Sequence, residues 1–143
     1  MPIDESLLHV HQYSGTGYMP LIDYGDWRVA ILRYADELLP ENIDSMQRHD
    51  DTDEVFVLMT GRCILFIGVG DEHVSAIKAQ DMEPLKLYNV KKSSWHTHTL
   101  SQDATVLIVE NRDTTIHNSP QVSLDATQRN QLIELTRDLW KGH

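Results

Sequence analysis

Short apolar runs broken by turn residues recur along most of the chain, a spacing that predicts an all-β sandwich or barrel. Residues 27–34 are rich in β-formers and follow the turn Tyr24-Gly25-Asp26. Residues 55–59 form a continuous apolar run that stops at Thr60-Gly61-Arg62. A second run, 63–67, follows at once, so the two predict a hairpin whose far side closes at Gly68-Val69-Gly70-Asp71. Further strands are predicted over 73–79, 87–90, 95–98 and 104–110. Both faces of 55–59 and 63–67 are apolar, as expected for strands packed inside a barrel or between two sheets.

Near the end of the chain the period changes from two to about 3.6. Leu132, Leu135 and Leu139 share one helical face, Ile133 and Trp140 widen it, and Ser123 or Asp125 can cap the first turn. The pattern predicts an amphipathic helix over about 124–141, packed on the outside of the barrel or on a partner subunit. No repeat, low-complexity tract or linker divides the 143 residues, so the expectation is one domain over 1–143, with a barrel core over about 25–112.

Composition narrows the partners. The net charge is −10 with eight histidines counted neutral, and the densest basic cluster is only Lys91-Lys92. Such a surface repels phosphate backbones and anionic lipid, so neither nucleic acid nor membrane is expected as a partner. A single cysteine, Cys63, excludes an internal disulfide and suits a reducing compartment. With an acidic start lacking the layout of a secretory signal, a cytoplasmic address is expected. Cys63 lies within an apolar run and reads as a small core residue.

The chemistry concentrates in residues 47–61. His49 and Glu54 flank Asp50-Asp51-Thr52-Asp53, a strong turn composition that reads as a solvated turn. A corner there lets both side chains enter one cavity. Glu54 opens an apolar strand, where a carboxylate is costly without a metal ion, arginine or histidine beside it. A second piece is Trp95-His96-Thr97-His98, in which strand geometry puts His96 and His98 on one face. Together these residues are an N/N/O ligand set for a divalent transition metal: zinc, iron, manganese or nickel.

The 47–61 segment resembles the first cupin motif, H-x-H-x(3,4)-E-x6-G. His49 stands at its second histidine, Glu54 at its glutamate and Gly61 at its closing glycine. His96 stands at the histidine of the second motif, P-x-G-x-x-H. The flanking pattern is similar to that of short single-domain bacterial cupins. The resemblance implies a double-stranded β-helix with a C-terminal helix, often a homodimer, with metal in the barrel held by His49, Glu54 and His96. Several positions depart from the motifs. Gln47 stands where the first histidine would be and Glu41 at the leading glycine; Lys91, Ser93 and Leu100 replace the second motif's proline, glycine and asparagine. Gln47 and His98 are therefore the residues expected to complete the site or act in catalysis.

The leading functional expectation is a metal-dependent enzyme acting on a small polar metabolite, a sugar derivative or an organic acid, with dioxygenase, isomerase, lyase and hydrolase chemistries all open. The alternatives are a metal-free isomerase or epimerase with His49 or His96 as general base, and a non-enzymatic small-molecule-binding barrel. His9 and His11 are expected as a solvent-facing strand pair or part of a dimer contact; His73, His117 and His143 have no ligand-like company. Trp27 and Arg33 read either as barrel-mouth residues or as core and surface positions.

Overall fold

The computed structural model describes residues 2–142. Among these residues ten strands form two antiparallel five-stranded sheets. In chain order they are β1 (Gly17–Tyr24), β2 (Trp27–Arg33), β3 (Ser45–Gln47), β4 (Glu54–Thr60) and β5 (Cys63–Val69), then β6 (Ala76–Asp81), β7 (Leu87–Val90), β8 (Trp95–Leu100), β9 (Thr105–Asn111) and β10 (Gln121–Ser123). Sheet one runs β1-β2-β9-β4-β7 and sheet two β10-β3-β8-β5-β6. From β3 onward the chain crosses from sheet to sheet at every connection except β5–β6, which winds the two layers around one interior.

The predicted hairpin between 55–59 and 63–67 is not present: β4 and β5 lie in different sheets. The turn that separates them is a barrel corner. Gly61 has φ +72°, and a Cβ there would lie 2.5 Å from the Ala104 Cα, so the chain passes too close to the β8–β9 connection for any side chain. The predicted strand 73–79 begins at Ala76 instead, because residues 70–75 form a turn closed by the Ser75 amide on the Val69 carbonyl (2.7 Å). Residues 8–14 form no strand, so His9 and His11 are exposed in an extended segment with their rings 4.2 Å apart. His143 lies outside the described residues.

Two apolar clusters follow from this winding. Phe56, Leu58, Cys63, Leu65, Val106 and Ile108 fill the barrel. Ile64, Phe66 and Trp95, on the opposite faces of β5 and β8, pack with Leu132 of the helix α1 (Ala126–Leu139). Strand β5 is thus apolar on both faces because the barrel covers one and the helix the other. Asp125 caps α1 by accepting from the Gln128 amide (2.8 Å), and the Gln128 side chain returns the bond to the Asp125 amide. Leu135, Leu139 and Trp140 join the buried face as the periodicity predicts. Among the described residues no helix is long and apolar enough to cross a membrane.

Candidate functional site

Glu54 begins β4 and points into the barrel among Phe56 and Val90, where it is 5% exposed. Its Oε1 lies 3.0 Å from His49 Nε2 and 3.0 Å from His96 Nε2. The three donor atoms lie within 4.8 Å of one another, and all three side chains are buried. Burial opposes the charge on Glu54, but hydrogen bonds and charge from the two imidazoles outweigh it and hold the carboxyl well below the usual range.

Each imidazole is fixed from behind. His96 Nδ1 donates to the Ser94 carbonyl (2.9 Å), and His49 Nδ1 meets the Ser119 hydroxyl (2.7 Å). A carbonyl only accepts, so the His96 proton resides on Nδ1. A neutral His96 then presents a lone pair at Nε2 to the lone pairs of Glu54. That contact requires a cation between them, either a proton shared by the pair or a metal ion. Outward Nδ1 acceptors with Nε2 atoms converging on a carboxylate are also how metal-ligating histidines are oriented. Two donors about 2.1 Å from one ion stand roughly 3.0–3.4 Å apart for angles from 90° to tetrahedral, so the two 3.0 Å Glu54–histidine spacings are ones that a shared metal ion could occupy.

The corner that aims His49 and Glu54 is held by more than solvent. Asp50 accepts from the Ser93 hydroxyl (2.8 Å), and Asp53 accepts from the Lys92 amide (2.9 Å) and the Asn89 side chain (3.1 Å). Those bonds hold the Asp53 carboxyl below its ordinary range. The Ser93 amide donates to the His49 carbonyl (2.7 Å). Ser93 adopts φ +64°, the left-handed conformation that explains a glycine at this position of the second motif. Here the hydroxyl and amide bonds compensate the strain. Arg48 lies over the Trp95 ring at 4.6 Å, tying the corner to β8.

A cavity of about 380 Å³ opens beside the cluster, lined by His49, Glu54, Gln47 and His98 among others. Gln47 lies directly across from His96 in the β3–β8 pair. His98 shares the inward face of β8 with His96, its ring 5.8 Å from Phe56, but it is not among the three converging donors. Its Nδ1 is buried without a partner, and burial pushes the ring down to about 4, so it is neutral at pH 7. His96 itself is 1% exposed and is not among the residues lining the cavity. Trp27 and Arg33 do not line this cavity: Trp27 is 46% exposed on the outer face, and Arg33 binds Thr105.

Among the lining residues that escaped the sequence reading are Tyr18, Glu110 and Ser119. The Tyr18 hydroxyl donates to Glu110 Oε1, and Glu110 Oε2 is buried without a partner. Burial, then the charge of Glu54, raise the Glu110 carboxyl to about 7. Glu110 closes the inward series Val106, Ile108, Glu110 of β9, the same carboxylate-on-an-apolar-strand signal that marked Glu54. Ser119 lies in the loop after β9, which carries no comparable pattern.

The barrel, the crossing pattern and the inward histidines and glutamate now stand beside known structures. The Streptomyces nucleoside dehydratase Pac13 superposes with a TM-score of 0.54 at 8% identity, covering 81% of this chain and 87% of that one. The QdtA 3,4-ketoisomerase from Thermoanaerobacterium thermosaccharolyticum gives 0.53 at 10% identity, over 80% and 75%. KdgF from Halomonas sp. gives 0.50 at 9% identity, over 73% and 88%. The chain has the cupin fold. No sequence-family model and no curated protein sequence matches it. Within this cupin barrel the motif positions His49, Glu54 and His96 converge on one point, whereas His98 and Gln47 line the adjoining wall. The structures of this fold include a nucleoside dehydratase and a ketoisomerase, and Pac13 and QdtA variants hold uridine and TDP respectively.

Proposed function

We propose that the cavity is the active site of a metal-dependent enzyme acting on a small, uncharged polar metabolite such as a sugar derivative. The observation that carries this reading is the convergence of two back-anchored imidazoles and one carboxylate oxygen beside an open cavity. His49, Glu54 and His96 would hold the ion, which supplies Lewis-acid polarisation of a bound oxygen or activation of water or dioxygen. The chain's own residues do the rest. Leu32, Leu38, Ile108 and Ile116 offer an apolar wall, while Gln47, Tyr18 and Glu110 present hydrogen-bonding groups. All charged lining residues are acidic at Glu37, Glu54 and Glu110, which favours a hydroxyl-bearing sugar derivative over an organic acid. Glu110, a cavity-lining residue with a carboxyl that titrates near neutrality and a buried, unpartnered Oε2, is suited to hold or move a proton there.

A metal-free reading keeps the same cavity with His49 as general base. Its support is Gln47 at the position of the first motif histidine. Elemental analysis separates the two. Untagged protein purified without chelator should carry a near-stoichiometric transition metal that is lost in His49→Ala. Absence of metal from the wild type, with none taken up on reconstitution, would leave the histidine-base reading.

A further inference from the structure

Strand β6 ends sheet two and β7 ends sheet one, so no hydrogen-bonded ladder joins them across the barrel wall. A groove of about 270 Å³ lies in that gap. Leu65 and Val90, both buried, and Ile67 and Tyr88, both half-buried, form its floor. Gln80 and Lys91 stand exposed at its rim. It shares no lining residue with the cavity beside Glu54.

Strand register places a second lysine there. Ile77 and Ala79 of β6 pack in the helix-side cluster, so Lys78 and Gln80 face the barrel side. In the β5–β6 pair Lys78 lies opposite Ile67 and Gln80 opposite Leu65. These inward positions are exposed because sheet one stops at β7 and leaves β6 uncovered. An inward-pointing lysine guards an edge strand against pairing with another chain. The apolar floor beside it makes the same place a pocket with a charged lip.

Charge decides what the groove can hold. On a chain of net charge −10, four of the five lysines lie within residues 78–92. Lys86 pairs with Glu83 and Arg62 with Asp81, and Lys78 takes part in neither pair. Lys91 lies 3.6 Å from Asp53 but is 74% exposed, and such a contact contributes little. Asp53 already accepts from the Lys92 amide and the Asn89 side chain, so Lys91 can turn to a ligand. The cavity beside Glu54 carries the opposite sign, with Glu37, Glu54 and Glu110 in its lining.

We propose that this groove is a second ligand site, for a small carboxylate with an apolar tail. The tail lies on Leu65, Ile67, Tyr88 and Val90, and the carboxylate is held by Lys78 and Lys91. A volume below the roughly 300–1,000 Å³ of drug-sized sites suits a small molecule. A neutral apolar molecule gains the floor without the lysines, and a bare anion gains the lysines without the floor.

Titration of the isotope-labelled full chain with octanoate, followed by amide chemical shifts, tests this whether or not His49, Glu54 and His96 hold a metal. Octanoate should saturably shift Ile67, Gln80 and Lys91, with a dissociation constant on the order of 100 µM. Octanol, which has the tail alone, should bind about tenfold more weakly. Acetate, which has the head alone, should bind about a hundredfold more weakly or less. Lys78→Gln and Lys91→Gln, both at exposed positions that leave the fold intact, should each weaken octanoate about threefold and together about tenfold. Absence of saturable shifts, or shifts confined to residues of the other cavity such as Gln47 and Glu110, would overturn the proposal. Octanol binding as tightly as octanoate, or a double variant with unchanged affinity, would overturn it as well.

Discussion

Glu54 and Glu110 are buried to nearly the same extent, at 5% and 6% exposure, and line one cavity, yet their environments push them in opposite directions. Glu54 receives two imidazoles and stays ionised. At Glu110 burial and the negative charge of Glu54 outweigh the lowering by the Tyr18 hydroxyl bond, and the carboxyl rises to about 7. Burial alone raises both; the partners decide the outcome. Neighbouring carboxyls held apart in this way divide the labour of a site, one as a permanent anion and the other as a group that gains and loses a proton near neutrality.

Substitution should separate the pair sharply. In chelator-treated protein, Glu54→Gln leaves two buried imidazoles without their anion and should lower unfolding stability by about 3 kcal/mol in urea. Glu110→Gln should do the reverse at high pH. It removes a carboxylate that is ionised against Glu54 and should stabilise the protein by on the order of 1 kcal/mol at pH 8, with little effect at pH 5. A destabilisation at pH 8 comparable to that of Glu54→Gln would erase the distinction.

The pH dependence sharpens it further. Glu110 holds its proton to about pH 7 when folded but releases it near 4.3 when unfolded, so its contribution to stability is lost as pH rises through that window. His98 is neutral down to about pH 4 when folded but protonates near 6.5 when unfolded, so its contribution is lost as pH falls through almost the same window. In the wild type the two slopes oppose each other. Urea midpoints between pH 5 and 7 should therefore rise with pH in Glu110→Gln and fall with pH in His98→Phe. The smallest expected effect is at Ser119→Ala, which frees His49 Nδ1 and should cost about 1 kcal/mol and weaken metal binding about tenfold.

What the sequence revealed and what it concealed follow from how locally each feature is encoded. The strands β2, β4, β5, β7 and β9 and the helix α1 are written in runs and periods, and His49, Glu54, Gly61 and His96 in motif spacing. The fate of the Gly61 turn was not legible: two adjacent apolar runs look the same whether they pair or part at a barrel corner. The close approach of Ala104, distant in sequence, decides between them. β1, β3 and β10 were missed for related reasons: β3 and β10 are three residues each and pair with one another, while β1 is a bulged edge strand. Glu110 carried the same signal as Glu54 but no motif, and only the fold brings it beside Glu54 and Tyr18. Ser119 acts through a loop whose position depends on bonds such as Asn118 to Asp51, which no local pattern records.

The central claim is that His49, Glu54 and His96 form one metal centre, and titration of chelator-treated protein with cobalt(II), followed by visible absorption, tests it most directly. The wild type should bind one equivalent with the intense bands of a four- or five-coordinate site, and His96→Ala and Glu54→Gln should each lose them while Glu110→Gln retains them. Uptake with the same spectrum in wild type and His96→Ala, or no saturable absorption in the wild type, would contradict the account.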